Sequence, residues 1–373
     1  MIAKKPPMGF NTWNTFGEMF NAQMLCELAD AMVERGFKDA GYEYLIVDDH
    51  WEMDERDPET GRLVPRPAKF PNGIKEVIDY VHSKGLKFGL YSCAGVKTCG
   101  MKPASFNNEY LDAKTFAEWG VDYLKYDYCA KPETQDGDTL YRRMGIALRE
   151  CGREILFAAC NWGQSDVTSW IRSSGAHMYR STHDIINTYE STFGIFRSQV
   201  DKLGASAPFC FNDMDMLTVG MKGAGGPAGN SKGCTPGEYR IQFCTWCMFG
   251  VPLILGCDLR NVDEEYRDLL CNEKLIRINQ DEEARAPHPI AVNDRMEFMK
   301  ELSGGEYAVL LINTGTEDTR KGFVSYDMGW KASSGCKMEF EDVLSGEKLT
   351  FTDYVRIPVP AHDCRMFIMR LVD

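Results

Sequence analysis

Positive charge and long apolar runs are both scarce in this chain. Lys and Arg number 42 against 55 Asp and Glu, a net charge of -13 over 373 residues, which argues against a polyanionic partner such as DNA or RNA. No apolar stretch approaches the ~18 residues that a membrane-spanning helix needs, so no membrane partner is expected. The opening MIAKKPPMGF lacks an apolar signal-like region, which makes the cytoplasm the default expectation, with secretion or the periplasm the alternative had a signal been removed. The 6 histidines show neither H-E-x-x-H nor another ligand spacing, so no catalytic metal and no cofactor are expected. GAGGPA, Gly223 to Ala228, fits G-x-G-x-x-A but follows no strand-to-helix turn and contains Pro227, which speaks against a dinucleotide site and for a loop. Cysteine is plentiful instead. The 14 cysteines are scattered through apolar segments such as FCTWC and ILGCD, where they read as core thiols, the C-x-x-C of Cys244 and Cys247 included.

A chain of this length buries a large core and suits one big barrel with an appendage. Eight short strand-like runs, MGFNTW, YLIVDD, KFGLYS, YLKYDY, ILFAACN, HMYRSTHD, FCFND and LILGCD, alternate with stretches that include amphipathic ones such as AQMLCELADAMVERG, IKEVIDYVHSKG and EYRIQFCTWCMFG. That is the pattern of a (β/α)8 TIM barrel, for which ~250 residues is typical. A doubly wound sheet is the rival; the barrel is favoured because nearly every strand candidate ends in Asp, Asn, Trp or Tyr, as a ring of site residues at the C-terminal rim requires. Beyond INQDEEARAPHPIAVND the pattern changes to short strands separated by turns, MEFMKEL, YAVLLINT, GFVSYD, KMEFEDVL, LTFTDY and RMFIMRLV, an antiparallel β-sandwich in outline. The predicted boundary lies near Pro287, giving a catalytic barrel over 1–286 and a sandwich over 287–373. The sandwich is expected to serve as a brace or as a contact between copies in a homo-oligomer.

YLKYDYC carries two opposite charges on one face of an apolar strand. Residues two apart in a strand share a side, so Tyr123, Lys125 and Asp127 all point into the barrel. A buried charge needs a partner, and two readings stand: a structural Lys–Asp pair, or a carboxylate kept ionised for use as a nucleophile. In MYRSTHDII, Arg180, Thr182 and Asp184 again share one parity. Two carboxylates on opposing strand tips are what glycoside hydrolysis requires, one to attack and one to protonate the leaving oxygen. Arg180 touching Asp184 would oppose the second role, so Arg180 is expected to reach a sugar hydroxyl or another carboxylate. VDDHW sets Asp48 beside Asp49, a pair suited to neighbouring hydroxyls, to a metal or to loop capping. Trp13, Trp51, Tyr91 and Trp162 at strand ends suit the apolar face of a pyranose, although each alone also fits a core position.

PPMGFNTWNTF, VDDHW, FGLYSCAGVKTC, YLKYDYC, CNWG, RSTHDI, FNDMDML and PLILGCDLR occur in this order through the whole barrel, and together they resemble glycoside hydrolase family 27, the α-galactosidases and α-N-acetylgalactosaminidases. The resemblance implies a retaining, metal-free hydrolase of terminal α-galactosides that works by double displacement. It implies Asp127 as nucleophile and Asp184 as acid/base. Asp215 of FNDMDML is the reserve for the latter role, although that segment reads first as a buttress of the barrel. It further implies that Asp48 and Asp49 hold the sugar's 4- and 6-hydroxyls, and that Trp13, Tyr91, Lys125 and Arg180 line the pocket. Cys99 and Cys129 match a pair that forms a disulfide there, although a reducing cytoplasm would leave them as thiols. CNWG, supplying Cys160, Asn161 and Trp162, stands where many relatives read C-E-W, and Asn161 falls where the pocket is shaped around the sugar's 2-position. The expected partner is a carbohydrate with a terminal α-galactose. The alternatives are an α-N-acetylgalactosaminidase of the same mechanism and a non-catalytic galactoside-binding barrel.

Overall fold

The structure, a computed structural model, describes residues 2–222, 233–290, 296–331 and 333–372. GAGGPA, Gly223 to Ala228, lies outside the described residues. Among the described residues, no helix is long and apolar enough to cross a membrane.

Eight strands form one parallel sheet: β1 (Met8–Asn11), β2 (Tyr44–Ile46), β3 (Lys87–Cys93), β4 (Tyr123–Asp127), β5 (Leu156–Cys160), β6 (Met178–Arg180), β7 (Phe211–Asp213) and β8 (Leu253–Leu255). Their spatial order is β7-β6-β5-β4-β3-β2-β1-β8. The remaining gap, between β7 and β8, is spanned by one parallel bridge from Leu217 to Leu255, so the sheet curls into a (β/α)8 barrel as the sequence pattern predicts. Several helices carry legible start or stop signals. Asn21, for example, caps the helix Ala22–Glu34 by accepting from the Met24 amide at 2.9 Å. The helix Pro236–Phe249 starts on a Thr235/Glu238 capping box with proline in its first turn, and ends at Gly250 with φ 62°. The short, amphipathic helix Val167–Ser174 and the weakly amphipathic helix Tyr189–Gln199 complete the fifth and sixth units.

The C-terminal part holds β9 (His288–Pro289), β10 (Glu297–Glu301), β11 (Tyr307–Asn313), β12 (Thr319–Val324), β13 (Lys337–Asp342), β14 (Lys348–Thr352), β15 (Tyr354–Val359) and β16 (Asp363–Val372). Six of them form an antiparallel sheet in the order β14-β13-β16-β11-β10-β9, and β12 pairs with β15. The central strand β11 of the six-stranded sheet is apolar on both faces. Along β11, Ala308, Leu310 and Ile312 join the barrel's core, while Val309 and Leu311 pack with Phe323, Val355 and Ile357 into a separate sandwich core. This explains why YAVLLIN is continuously hydrophobic where an exposed sheet would alternate. It also explains the helix Pro236–Phe249, buried on nearly every side: it lies between barrel and sheet, with Phe249 edge-on to Phe298 at 5.3 Å and Arg240 donating to Asp363 at 3.0 Å. Cys244 and Cys247 are buried, unpaired thiols in that helix.

Candidate active site

Tyr123 faces inward against the Tyr44 ring of β2 at 5.4 Å, and Tyr126 faces outward against Tyr141 of the surrounding helices. Lys125 and Asp127, of the same parity as Tyr123, therefore open into the barrel mouth. There they line a cavity of about 250 Å³ together with Trp13, Asp48, Asp49, Tyr91, Cys99, Trp162, Arg180, Asp184 and Asp215. Pockets for drug-sized ligands run to ~300–1,000 Å³, so this one suits a single sugar ring.

Lys125 donates to Asp48 Oδ2 at 2.8 Å, and the same oxygen accepts from Asn11 Nδ2 at 2.8 Å. Burial by itself would lower the Lys125 ammonium, but Asp48 and Asp127 more than offset it and hold it well above its usual range. Asp127 is 6% exposed. It accepts from the Tyr91 hydroxyl at 3.1 Å and from the Tyr128 amide at 2.9 Å. Burial raises its carboxyl to about 6, against the opposing pull of Lys125. Asp48 and Asp49 both reach the rim because the chain turns out of β2 at His50, whose φ is +68°. Asp49 is fixed from three sides: His50 N at 2.7 Å, Thr98 Oγ1 at 2.9 Å and Gly100 N at 2.7 Å. Thr98 and Gly100 flank Cys99, which is disulfide-bonded to Cys129 with a Cα separation of 5.2 Å. The disulfide thus ties the loop that orients Asp49 to the loop that follows Asp127.

Arg180 corrects an expectation. It reaches Asp215 at 2.8 Å, another carboxylate as predicted, but it also reaches Asp184 directly at 2.6 Å. The segment after β6 is non-helical and folds back over the strand tip, which returns Asp184 to the guanidinium. Asp184 has a 74% exposed side chain at the cavity mouth. Burial against the surrounding wall would raise it, yet Arg180 outweighs that effect and holds it below the usual carboxylate range. Asp215 is buried, accepts from the Ile185 amide at 2.7 Å, and sits at φ +83°. A non-glycine residue in the left-handed region stores strain that surrounding contacts must hold, here in order to hold Arg180 and the Asp184 loop.

Three residues fall elsewhere. Trp51 is fully buried, donates to the Tyr91 carbonyl at 2.9 Å and packs edge-on against Phe116 and Trp119, so it braces β3 and presents no face to the cavity. Cys160 lies behind Lys125 and Arg180, lining a separate small void of about 30 Å³. Asn161 is fully buried with its Nδ2 donating to the Gln164 carbonyl at 2.8 Å, because the chain turns sharply at Trp162, φ +54°, and only Trp162 comes to the wall. Asn11, Thr98 and Gly100 were not foreseen. Asn11 at the tip of β1 carried a legible signal, a buried amide at a strand end; Thr98 and Gly100 act through a loop whose path no local pattern reveals.

A parallel barrel whose strand tips gather two carboxylates around a sugar-sized pocket, with an antiparallel sandwich attached, is a glycoside hydrolase. Residues 6–281 match the family described as Alpha galactosidase A, and residues 297–369 match the Alpha galactosidase C-terminal beta sandwich domain. The chain is 37% identical over 371 residues to the alpha-galactosidase of Cyamopsis tetragonoloba, covering 99% of this chain and 87% of that protein. Its fold is similar to alpha-galactosidase I from Mortierella vinacea, with a TM-score of 0.90 at 31% identity, covering 100% of this chain and 98% of the other. The Saccharomyces cerevisiae alpha-galactosidase with raffinose gives a TM-score of 0.88 at 25% identity, covering 99% and 98%. The chain belongs to the α-galactosidase family, glycoside hydrolase family 27.

Proposed function

We propose that this enzyme is a retaining exo-α-galactosidase, releasing terminal α-galactose from oligosaccharides or glycoconjugates. The carrying observation is that Lys125 stands between Asp48 and Asp127 inside a sugar-sized cavity with a further carboxylate, Asp184, at its mouth. A structural Lys–Asp pair needs only one carboxylate.

In this reading Asp127 attacks the anomeric carbon from the cavity floor, helped by donors from Tyr91 and Tyr128 that hold its orientation. Asp184 gives its proton to the glycosidic oxygen as the bond breaks. A covalent galactosyl-enzyme forms on Asp127, and Asp184, now ionised, takes a proton from the water that hydrolyses it. Arg180 favours ionised Asp184 in the second half of the cycle, and the incoming substrate must displace that contact for the first. Asp48 and Asp49 accept from the 4- and 6-hydroxyls. Asp48 and Asp49 are 2% and 1% exposed, and a buried hydrogen bond is stronger than one in water.

Asn161 is turned away from the cavity and Trp162 fills the neighbouring wall, which supports a 2-hydroxyl rather than a 2-acetamido group. The test compares initial rates on the nitrophenyl α-glycosides of galactose and N-acetylgalactosamine, with α-glucoside and β-galactoside controls. Selective release from α-galactose is expected. Faster release from the acetamido sugar would overturn the substrate assignment, and no release from any would overturn hydrolysis altogether.

A further inference from the structure

Beside Asp127 lie two sulfurs that hydrolysis does not use. The sulfurs of Cys99 and Cys129 and a carboxylate oxygen of Asp127 all lie within 4.8 Å of one another, the one such grouping of three or more His, Cys, Asp or Glu ligand atoms found among the described residues. Oxidised, the two sulfurs are bonded to each other and carry no thiolate charge. Cys99 is exposed at the cavity wall and Cys129 is half-buried two residues beyond Asp127, so a small reductant can reach the bond from solvent.

We propose that reduction of the Cys99–Cys129 disulfide converts the catalytic cavity into a binding site for a thiophilic divalent cation, held by the two thiolates and the Asp127 carboxylate, and that the bound cation stops turnover. Two thiolates and one carboxylate select zinc or cadmium over magnesium or calcium. Reduction lets the two sulfurs move apart, and three donors starting within this span can then close on one ion at the ~2.0–2.3 Å that zinc takes with oxygen and sulfur. Hydrogen bonds that do not run through the S–S bond still restrain the chain around the donors after the bond opens. Thr98 and Gly100 on either side of Cys99 hydrogen-bond Asp49, and Asp127 is held by Tyr91 and the Tyr128 amide.

The redox step balances with a small dithiol. Its two S–H groups close to a cyclic disulfide, supplying two electrons and two protons; the Cys99–Cys129 bond breaks and two cysteine thiols form. The cation then displaces both thiol protons to solvent. Binding rests on the geometry alone, whereas inhibition rests on the reading of Asp127 as nucleophile.

The experiment uses the full chain in two forms, oxidised and pre-reduced with a dithiol that is then removed under argon, each titrated with Cd²⁺. The other 12 cysteines are free in both and set an equal background. Cadmium–thiolate absorbance and the initial rate on nitrophenyl α-galactoside are read together, relative to each form without metal, so that an effect of reduction alone is divided out. The reduced form should bind one more Cd²⁺ than the oxidised form, in competition with galactose, and the Cys129→Ser chain should lose that extra ion. At free Cd²⁺ of ~100 Kd the reduced enzyme's rate should fall ~100-fold, with chelator restoring it, while the oxidised enzyme keeps its rate. Equal cadmium stoichiometry in the two forms would overturn the site. An extra ion with undiminished turnover would overturn it too, because Asp127 would then not be a ligand. Failure of the functional reading shows separately, as absent galactoside hydrolysis by the oxidised, metal-free enzyme.

Discussion

Replacing Asp184 with alanine should turn the enzyme's pH dependence over. In the resting site the two proposed catalytic carboxyls titrate in the reverse of their working order. Burial raises Asp127 to about 6, whereas Arg180 at 2.6 Å outweighs burial and holds Asp184 low. Turnover needs Asp127 ionised and Asp184 protonated, so the productive form is the minor tautomer of a singly protonated pair. That pool drains as pH rises through about 6, and the wild type should lose kcat/KM above it on an alkyl galactoside such as melibiose. The alanine variant keeps one titrating group. With a nitrophenolate leaving group, which hardly needs protonation, its rate should follow ionised Asp127 and rise ~10-fold from about pH 5 to about pH 7. The midpoint should lie at or just below about 6, since the negative charge of Asp184 contributes to raising Asp127. On melibiose the same variant should lose ~100- to ~10,000-fold, the range a general acid supplies. Initial rates of both substrates across the pH range decide the matter. Equal losses on the two substrates, or a variant profile that still falls above neutrality, would refute Asp184 as the acid and return attention to Asp215.

Asp127→Asn should abolish turnover and stabilise the fold: a carboxyl at about 6 in the folded chain and ~3.9 unfolded makes the wild type lose ~3 kcal/mol as pH rises across that window. The variant's Tm advantage should therefore be present near pH 7 and absent near pH 4, and identical Tm values at pH 7 would sink the account. Lys125→Met leaves Asp48 and Asp127, 2% and 6% exposed, without their cation; urea unfolding should show a loss of ~3–5 kcal/mol, and whatever activity survives should need a higher pH to ionise Asp127. Cys129→Ser opens a link between residues 30 apart, for which loop entropy suggests ~3–4 kcal/mol. Because that link steadies the loop holding Asp49, KM should rise more than kcat falls, and an unchanged KM would reject the positioning role.

The barrel was legible because its strands are short apolar runs with polar tips, and that signal is local. That Lys125 and Asp127 share the inward face was legible for the same reason, because strand parity is a property of two residues; that Lys125 bonds Asp48 of β2 was not. Asn161 and Trp51 show where local reading stops. Each stands beside a residue that does reach the cavity, and which neighbour turns inward depends on the backbone dihedral at the turn, +54° at Trp162 and +68° at His50.

What the sequence alone determined is the set of chemical groups: eight strand tips, their carboxylates, the cation beside them and a change of pattern that marks a second, all-β part. Only the tertiary structure decided how those groups act on one another. Arg180 lies on Asp184 as well as Asp215 because the chain after β6 folds back, and that contact, invisible to spacing, sets the titration order of the two proposed catalytic carboxyls. Thr98 and Gly100 came to hold Asp49 by the path of a loop that a disulfide fastens beside Asp127. Charge interactions fall off with distance and strengthen with burial, and both quantities exist only once the chain is folded.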